Sequence, residues 1–265
     1  MAVRLVIVGG GNMGTALAAG LVASGWAPAG ELLIVEPLEA RRAALVTELP
    51  GVGVTEELGG TADGAVIAVK PGDVPAAAQA IARAEIRRVL SIAAGVRTTA
   101  VEAALGTDAA VVRAMPNTPA LVGAGVAAIA SGRHAGPVDL DWAESILGAV
   151  GTVVRVPEPD LDAVTGLSGS GPAYLFLVAE ALIDAGVAVG LARDVSVALT
   201  TQLLVGSAAL LARSGEPPDV LRQRVTSPGG TTAAGLKVLD AAGVADALRR
   251  AVIAATERSR ELGAL

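Results

Sequence analysis

The chain has 265 residues with a formal charge of −6, one His and no Cys, and it is 52% hydrophobic but only 2% aromatic. That length admits one large domain or two ordinary ones, and the scarcity of rings leaves Ala, Val and Leu to fill the core, which favours closely packed helices. Without Cys there is no disulfide framework, thiolate metal site or thiol catalysis; an acidic chain without a Lys/Arg run also lacks the basic face that nucleic-acid binding requires.

The first apolar run, residues 3–8, is too short for the core of a secretory signal and leads straight into a glycine turn. A cytoplasmic location is therefore expected. Val/Ile-rich runs recur at residues 32–35, 65–69, 89–92 and 110–113, separated by Ala/Leu stretches of helical length. Strands alternating with helices predict right-handed crossovers and a doubly wound parallel sheet. Later strands are predicted at residues 122–130 and 152–156, with a helix over 138–149 between them. After Pro157 and Pro159 the strand signals stop. This divides the chain into a dinucleotide-binding domain, residues 1–157, and an all-α domain, residues 158–265.

Two helices predicted in the second half, residues 174–189 and 195–213, carry small and aliphatic side chains nearly all round. Such helices need partners on every side, and about a hundred residues supply few, so this half is expected to form a homodimer. The uncharged run 195–212 reaches the length of a short membrane span. It contains Ser196, Thr200, Thr201, Gln202, Gly206 and Ser207. That mixed polarity reads as a helix buried between protein surfaces, and no membrane partner is expected.

The string from Leu5 to Gly14 is a buried strand entering G-x-G-x-x-G, with Ala/Leu residues at helical spacing beyond it. Gly9 permits the tight turn, Gly11 lets a pyrophosphate approach the backbone, and Gly14 lets the helix pack on the strand. The helix N-terminus then offers unpaired N–H groups and a partial positive charge to the phosphates. Asn12 and Met13 lie within the turn. Glu36 follows at the end of the second predicted strand, 22 positions after Gly14, where an acid accepts hydrogen bonds from an adenosine ribose. A carboxylate there favours NADH. Arg41 and Arg42, one turn on, suit the 2′-phosphate of NADPH or a solvated helix face, and the pattern leaves the choice open.

Three further segments close the predicted cofactor site at the carboxyl edge of the sheet. Val69, Lys70 and Pro71 follow one strand, and Lys70 is one of only two lysines, the other being Lys237. Its ammonium suits a phosphate or carboxylate, or plain solvent. Ala93, Ala94 and Gly95 follow the next strand with small side chains that admit a flat nicotinamide ring. Asn117 stands between Pro116 and Pro119, where it is expected to form a pocket wall receiving the nicotinamide carboxamide.

His134 lies in a hydrophilic segment and reads as a surface turn, so no His-centred mechanism is expected. The densest polar cluster is in the helical half: Ser227, Thr231 and Thr232 surround Pro228, Gly229 and Gly230 just where a helix begins. Exposed N–H groups from Gly230 to Thr232 and three hydroxyls make an anion seat suited to a carboxylate. A plain helix cap would need only one hydroxyl.

These motifs, in this order, resemble the pyrroline-5-carboxylate reductase family over essentially the whole chain. The resemblance is carried by Gly9 to Gly14, Ala68-Val69-Lys70-Pro71, Ser91 to Gly95, the string from Arg113 to Pro119, the string from Leu167 to Tyr174 and, above all, Ser227 to Thr232. It implies an N-terminal Rossmann domain, a helical dimerisation domain with interleaved subunits, and often a ring of dimers such as a decamer. It also implies hydride transfer from NADPH or NADH to a cyclic imine, giving L-proline. By position, Ser227, Gly230, Thr231 and Thr232 would hold the substrate, with Thr232 as the catalytic residue near the ring nitrogen. Two positions depart from the family: Glu36-Pro37 stands where a small hydroxyl residue is frequent, and Thr55 where Asn is. Two other readings remain, a reductase of a related imine or hydroxy acid and a non-catalytic dinucleotide sensor. For the hydroxy acid, the only Lys beyond the domain junction is Lys237.

Overall fold

The computed structural model describes residues 3–106 and 108–263. The chain forms two compact units, one running to Ser170 and including the residues from Ile253 onward, the other Gly171–Val252.

The first unit is built on eight strands: β1 (Val3–Val8), β2 (Leu32–Val35), β3 (Gly53–Thr55), β4 (Ala62–Ile67), β5 (Arg88–Ser91), β6 (Ala110–Met115), β7 (Gly125–Ser131) and β8 (Gly151–Arg155). Their order across the sheet is β3-β2-β1-β4-β5-β6-β7-β8. Helices α1 (Asn12–Ala23), α2 (Glu39–Glu48), α3 (Val74–Arg83), α4 (Thr98–Leu105) and α5 (Pro137–Leu147) link the strands. The chain first winds outward from β1 to β3 and then returns to lay β4 on the other side of β1. Val8 is consequently in register with both Val35 and Ile67. That reversal opens a crevice at the carboxyl ends of β1 and β4, where ligands of open α/β sheets bind.

Both faces of the sheet are covered, which is why its strands read as near-continuous apolar runs. Leu5 and Ile7 point into one core with Leu17 and Leu21 of α1 and Ile146 of α5. Val6 and Val8 point into the other with Ala78 and Ile81 of α3 and Val101 of α4. Two features differ from the sequence expectation. β3 was not foreseen, and β7 is antiparallel to β6, with β8 parallel to β7. The link 116–124 is too short for the crossover that a parallel pair needs.

Helix α6 (Leu161–Val164) runs into a π-helical turn, Thr165–Gly169. Leu161 is fully buried against Ala128 and Ala130 of β7, so residues 158–170 pack with the sheet although they follow Pro157. The end of the chain does the same, because Ser259 donates a 2.7 Å hydrogen bond to Asp162.

The second unit contains α7 (Gly171–Ala188), α8 (Arg193–Ser214), α9 (Pro218–Arg224), α10 (Thr231–Ala241) and the first half of α11 (Val244–Leu262). α7 and α8 approach closely, for a side chain at Gly186 would meet Ser196, whose hydroxyl donates to the Ile183 carbonyl at 2.8 Å. α8 is inside out: its buried residues are Ser196 and Thr200, while Leu199, Leu203, Val205 and Leu210 are more than half exposed. Phe176 and Leu177 of α7 are each 66% exposed. By length and composition, α8 and the stretch ending at Ala188 are long and apolar enough to cross a membrane. Apolar surface this extensive marks a binding face.

Candidate active site

The glycine turn joins β1 to α1. Gly9 adopts φ +112°, and a side chain there would lie 2.6 Å from the Ala68 carbonyl oxygen of the neighbouring strand end. A side chain at Gly14 would collide with the Gly9 carbonyl, whereas one at Gly11 meets nothing within 4 Å. The two outer glycines are therefore required by packing, whereas the backbone at Gly11 borders open space. That open space, at the uncapped start of α1 and with Asn12 exposed, fits a pyrophosphate. Met13 is half-buried against the first core.

Glu36 is built into this turn. It is only 8% exposed, and its two carboxylate oxygens accept the Gly10 and Leu38 N–H groups, each at 3.0 Å. Its own N–H donates to the Thr55 carbonyl at 2.9 Å. Arg41 crosses the turn, donating to the Gly10 carbonyl at 2.7 Å and the Thr15 hydroxyl at 2.8 Å. Its remaining donors grip both oxygens of Glu48, at 2.8 and 3.0 Å. That bond raises the Arg41 pKa above its ordinary value and holds the Glu48 carboxyl below the usual carboxylate range. Arg42 donates to the carbonyls of Glu36 and Pro37 and pairs with Glu56 at 3.1 Å.

The ends of β4 and β5 share a cleft of about 790 Å³ that brings Pro71 and Gly72 together with Ala94 and Gly95. Val69 packs on the second core, Lys70 is exposed, and Ala93 is buried. Arg97 and Arg258 also line this cleft. Sequence reading missed both, and Arg258 carried no signal because it reaches the cleft from the far end of the chain. Asn117 does not line this cleft; it is nearly buried with its amide engaged, the oxygen accepting the Val126 N–H at 2.9 Å and the nitrogen donating to the Ser168 carbonyl at 3.1 Å. It braces the loop between β6 and β7. His134 sits in an exposed turn, 3.7 Å from the exposed Asp108. Among the described residues no cluster of His, Asp and Glu gathers as a metal site.

The second unit contains the hydroxyl segment. Gly229 takes φ +70°, and the Gly230 N–H donates to the Ser227 carbonyl at 3.0 Å, closing a tight turn. α10 starts at Thr231 with no side-chain cap. The hydroxyls of Ser227, Thr231 and Thr232 are exposed and unused by the helix end, and the free N–H groups begin at Thr231 instead of Gly230.

Fold, glycine turn and strand-end cleft together define a nicotinamide-dinucleotide oxidoreductase. Residues 158–262 match the family described as pyrroline-5-carboxylate reductase dimerisation, and residues 4–95 match coenzyme F420-dependent NADP oxidoreductases. A pyrroline-5-carboxylate reductase from a Synechocystis species is 42% identical over 99% of both chains. The solved pyrroline-5-carboxylate reductase of Coxiella burnetii superposes with a TM-score of 0.91 at 34% identity, covering 99% of each chain. That of Plasmodium falciparum, with NADP bound, gives 0.86 at 31% identity and covers 98% of each. The chain belongs to the pyrroline-5-carboxylate reductase family. It is an NAD(P)H-dependent oxidoreductase acting on a small molecule and forms a homodimer, with residues 158–262 as its dimerisation domain.

Proposed function

We propose that the Ser227 to Thr232 turn seats 1-pyrroline-5-carboxylate for reduction to L-proline, the last step of proline biosynthesis. The observation that carries this reading is the uncapped start of α10, where three hydroxyls stand beside free N–H groups that none of them satisfies. An anion completes such a helix end. Thr231 and Thr232 offer N–H groups to the carboxylate, Ser227 adds its hydroxyl, and Gly230 keeps the approach open. The Thr232 hydroxyl hydrogen-bonds the ring nitrogen, holding the protonated imine with its electrophilic carbon presented for attack. Bound NAD(P)H supplies the hydride that this carbon accepts. A protonated imine needs neither metal nor strong acid, so positioning supplies much of the rate.

In this reading Gly9, Gly11, Asn12, Met13 and Gly14 cradle the pyrophosphate and Glu36 meets the adenosine ribose. Val69, Lys70, Pro71, Ala93, Ala94 and Gly95 border the nicotinamide, with Asn117 fixing the wall beside it. The functional domains are residues 1–157 for the cofactor and 158–265 for substrate and dimerisation. The dimers assemble into a ring such as a decamer, in the cytoplasm.

The deciding experiment is a pair of steady-state titrations of NADH and NADPH against pyrroline-5-carboxylate, repeated with Thr232→Ala. The variant is expected to lose about a hundredfold in kcat while cofactor Kd stays unchanged. Unchanged turnover would remove Thr232 from the mechanism, and cofactor binding without oxidation in the parent chain would favour a sensor.

A further inference from the structure

We infer that this enzyme prefers NADH to NADPH and that Glu36, held by the glycine turn itself, is the residue that enforces the choice. The inference rests on the dinucleotide site proposed above and adds to it the identity of the adenosine ribose.

The sequence left two opposing readings at this position, and the structure separates them by what each charged group is already doing. Glu36 is anchored at both oxygens, on Gly10 and on Leu38. A carboxylate has about four lone-pair sites, so two remain for the two hydroxyls of a ribose. Swinging the side chain aside for a phosphate would break two charge-assisted bonds and leave two N–H groups without partners. The space around Gly10 is also closed, since a side chain there would meet Leu45 and Glu36. The carboxylate therefore stays where a 2′-phosphate would have to sit.

The cations that would otherwise neutralise such a phosphate are committed. Arg41 is fastened to the Gly10 carbonyl, Thr15 and both oxygens of Glu48. Arg42 is fastened to two carbonyls and to Glu56. Three carboxylates, Glu36, Glu48 and Glu56, thus face two guanidinium groups, and Glu39 adds a further acid at the start of α2. A dianionic phosphate entering this cluster meets net repulsion and finds no free fork of N–H donors. The two hydroxyls of an NADH ribose meet acceptors already in place.

The test is direct binding of each dinucleotide to the unliganded homodimer, read from the change in nicotinamide fluorescence, so that it does not depend on turnover. The parent protein is expected to bind NADH at least about tenfold more tightly than NADPH, the value of one charge-assisted hydrogen bond. Glu36→Gln, which keeps the shape and removes the charge, should shrink that ratio by about tenfold. Glu48→Gln, remote from the ribose, should tighten NADPH alone by freeing Arg41. Equal or tighter binding of NADPH by the parent would overturn the inference while leaving the dinucleotide site intact. So would a ratio that Glu36→Gln does not move. Binding of neither dinucleotide would overturn the site and the inference together.

Discussion

The two units of this chain solve the burial problem in opposite ways. In the sheet unit, apolar side chains point inward from both faces, and buried charged groups have partners: Glu36 has two backbone N–H groups, and Arg113 has Glu158 at 3.3 Å, which in turn accepts from Thr98 at 2.7 and 2.8 Å, while the Ser91 hydroxyl is buried without a partner. In the helical unit the pattern inverts, with Ser196 and Thr200 buried and Leu203 and Phe176 exposed. A unit that completes its own core can hold a cofactor cleft alone. One that turns its leucines outward is completed by a second copy, so dimerisation belongs to the fold of that half.

The largest expected effect therefore comes from placing charge on the exposed helices. Phe176→Glu combined with Leu203→Glu should abolish the dimer, at a cost of more than about 4 kcal/mol for ionised groups in an apolar interface. Sedimentation velocity and thermal unfolding check it. A stable, active dimer would break the comparison, because those faces would then be ordinary surface.

A smaller effect, confined to the other unit, is expected of Gly14→Ala. The new methyl collides with the Gly9 carbonyl, and about 1 to 3 kcal/mol of overpacking strain corresponds to roughly tenfold to hundredfold weaker dinucleotide binding. The dimer should be unaffected. If the dimer weakened as well, the two units would not be independent in the sense drawn above.

The sheet unit was the more legible half, for reasons visible in particular residues. Runs such as Leu5 to Val8 are buried on both faces and carry the signal of a parallel strand in every side chain. β3 did not, because three residues with one exposed and two half-buried side chains produce no pattern. The reversed direction of β7 was hidden too, since it depends on the length of a link and not on what the strand is made of. The glycine turn was readable because backbone angle and packing restrict Gly9, and packing restricts Gly14, to glycine. The bonds of Glu36, Arg41 and Asn117 were not, because a sequence shows that a charge or an amide is present and not which partner engages it. In the helical half, the all-round apolar character was legible as a missing partner, and Ser227 to Thr232 as a polar cluster at a helix start. That the Gly230 N–H is used by its own turn was visible only in the structure.

The smallest predicted effect tests where the chain's end belongs. Ser259 and Asp162 are both buried, and the serine hydroxyl is bonded to that carboxylate. Ser259→Ala removes the donor and leaves a buried carboxylate oxygen short of a partner, which costs about 2 kcal/mol. For a chain of this size the unfolding midpoint of the sheet unit should fall by about 4 to 8 °C, with faster amide exchange over residues 253–262. Sedimentation should still show the dimer, because α7 and α8 keep their exposed leucines. A dimer that dissociated instead would mean that the second half of α11 serves the interface and not the sheet, and the line between the two units would have to be redrawn along that helix.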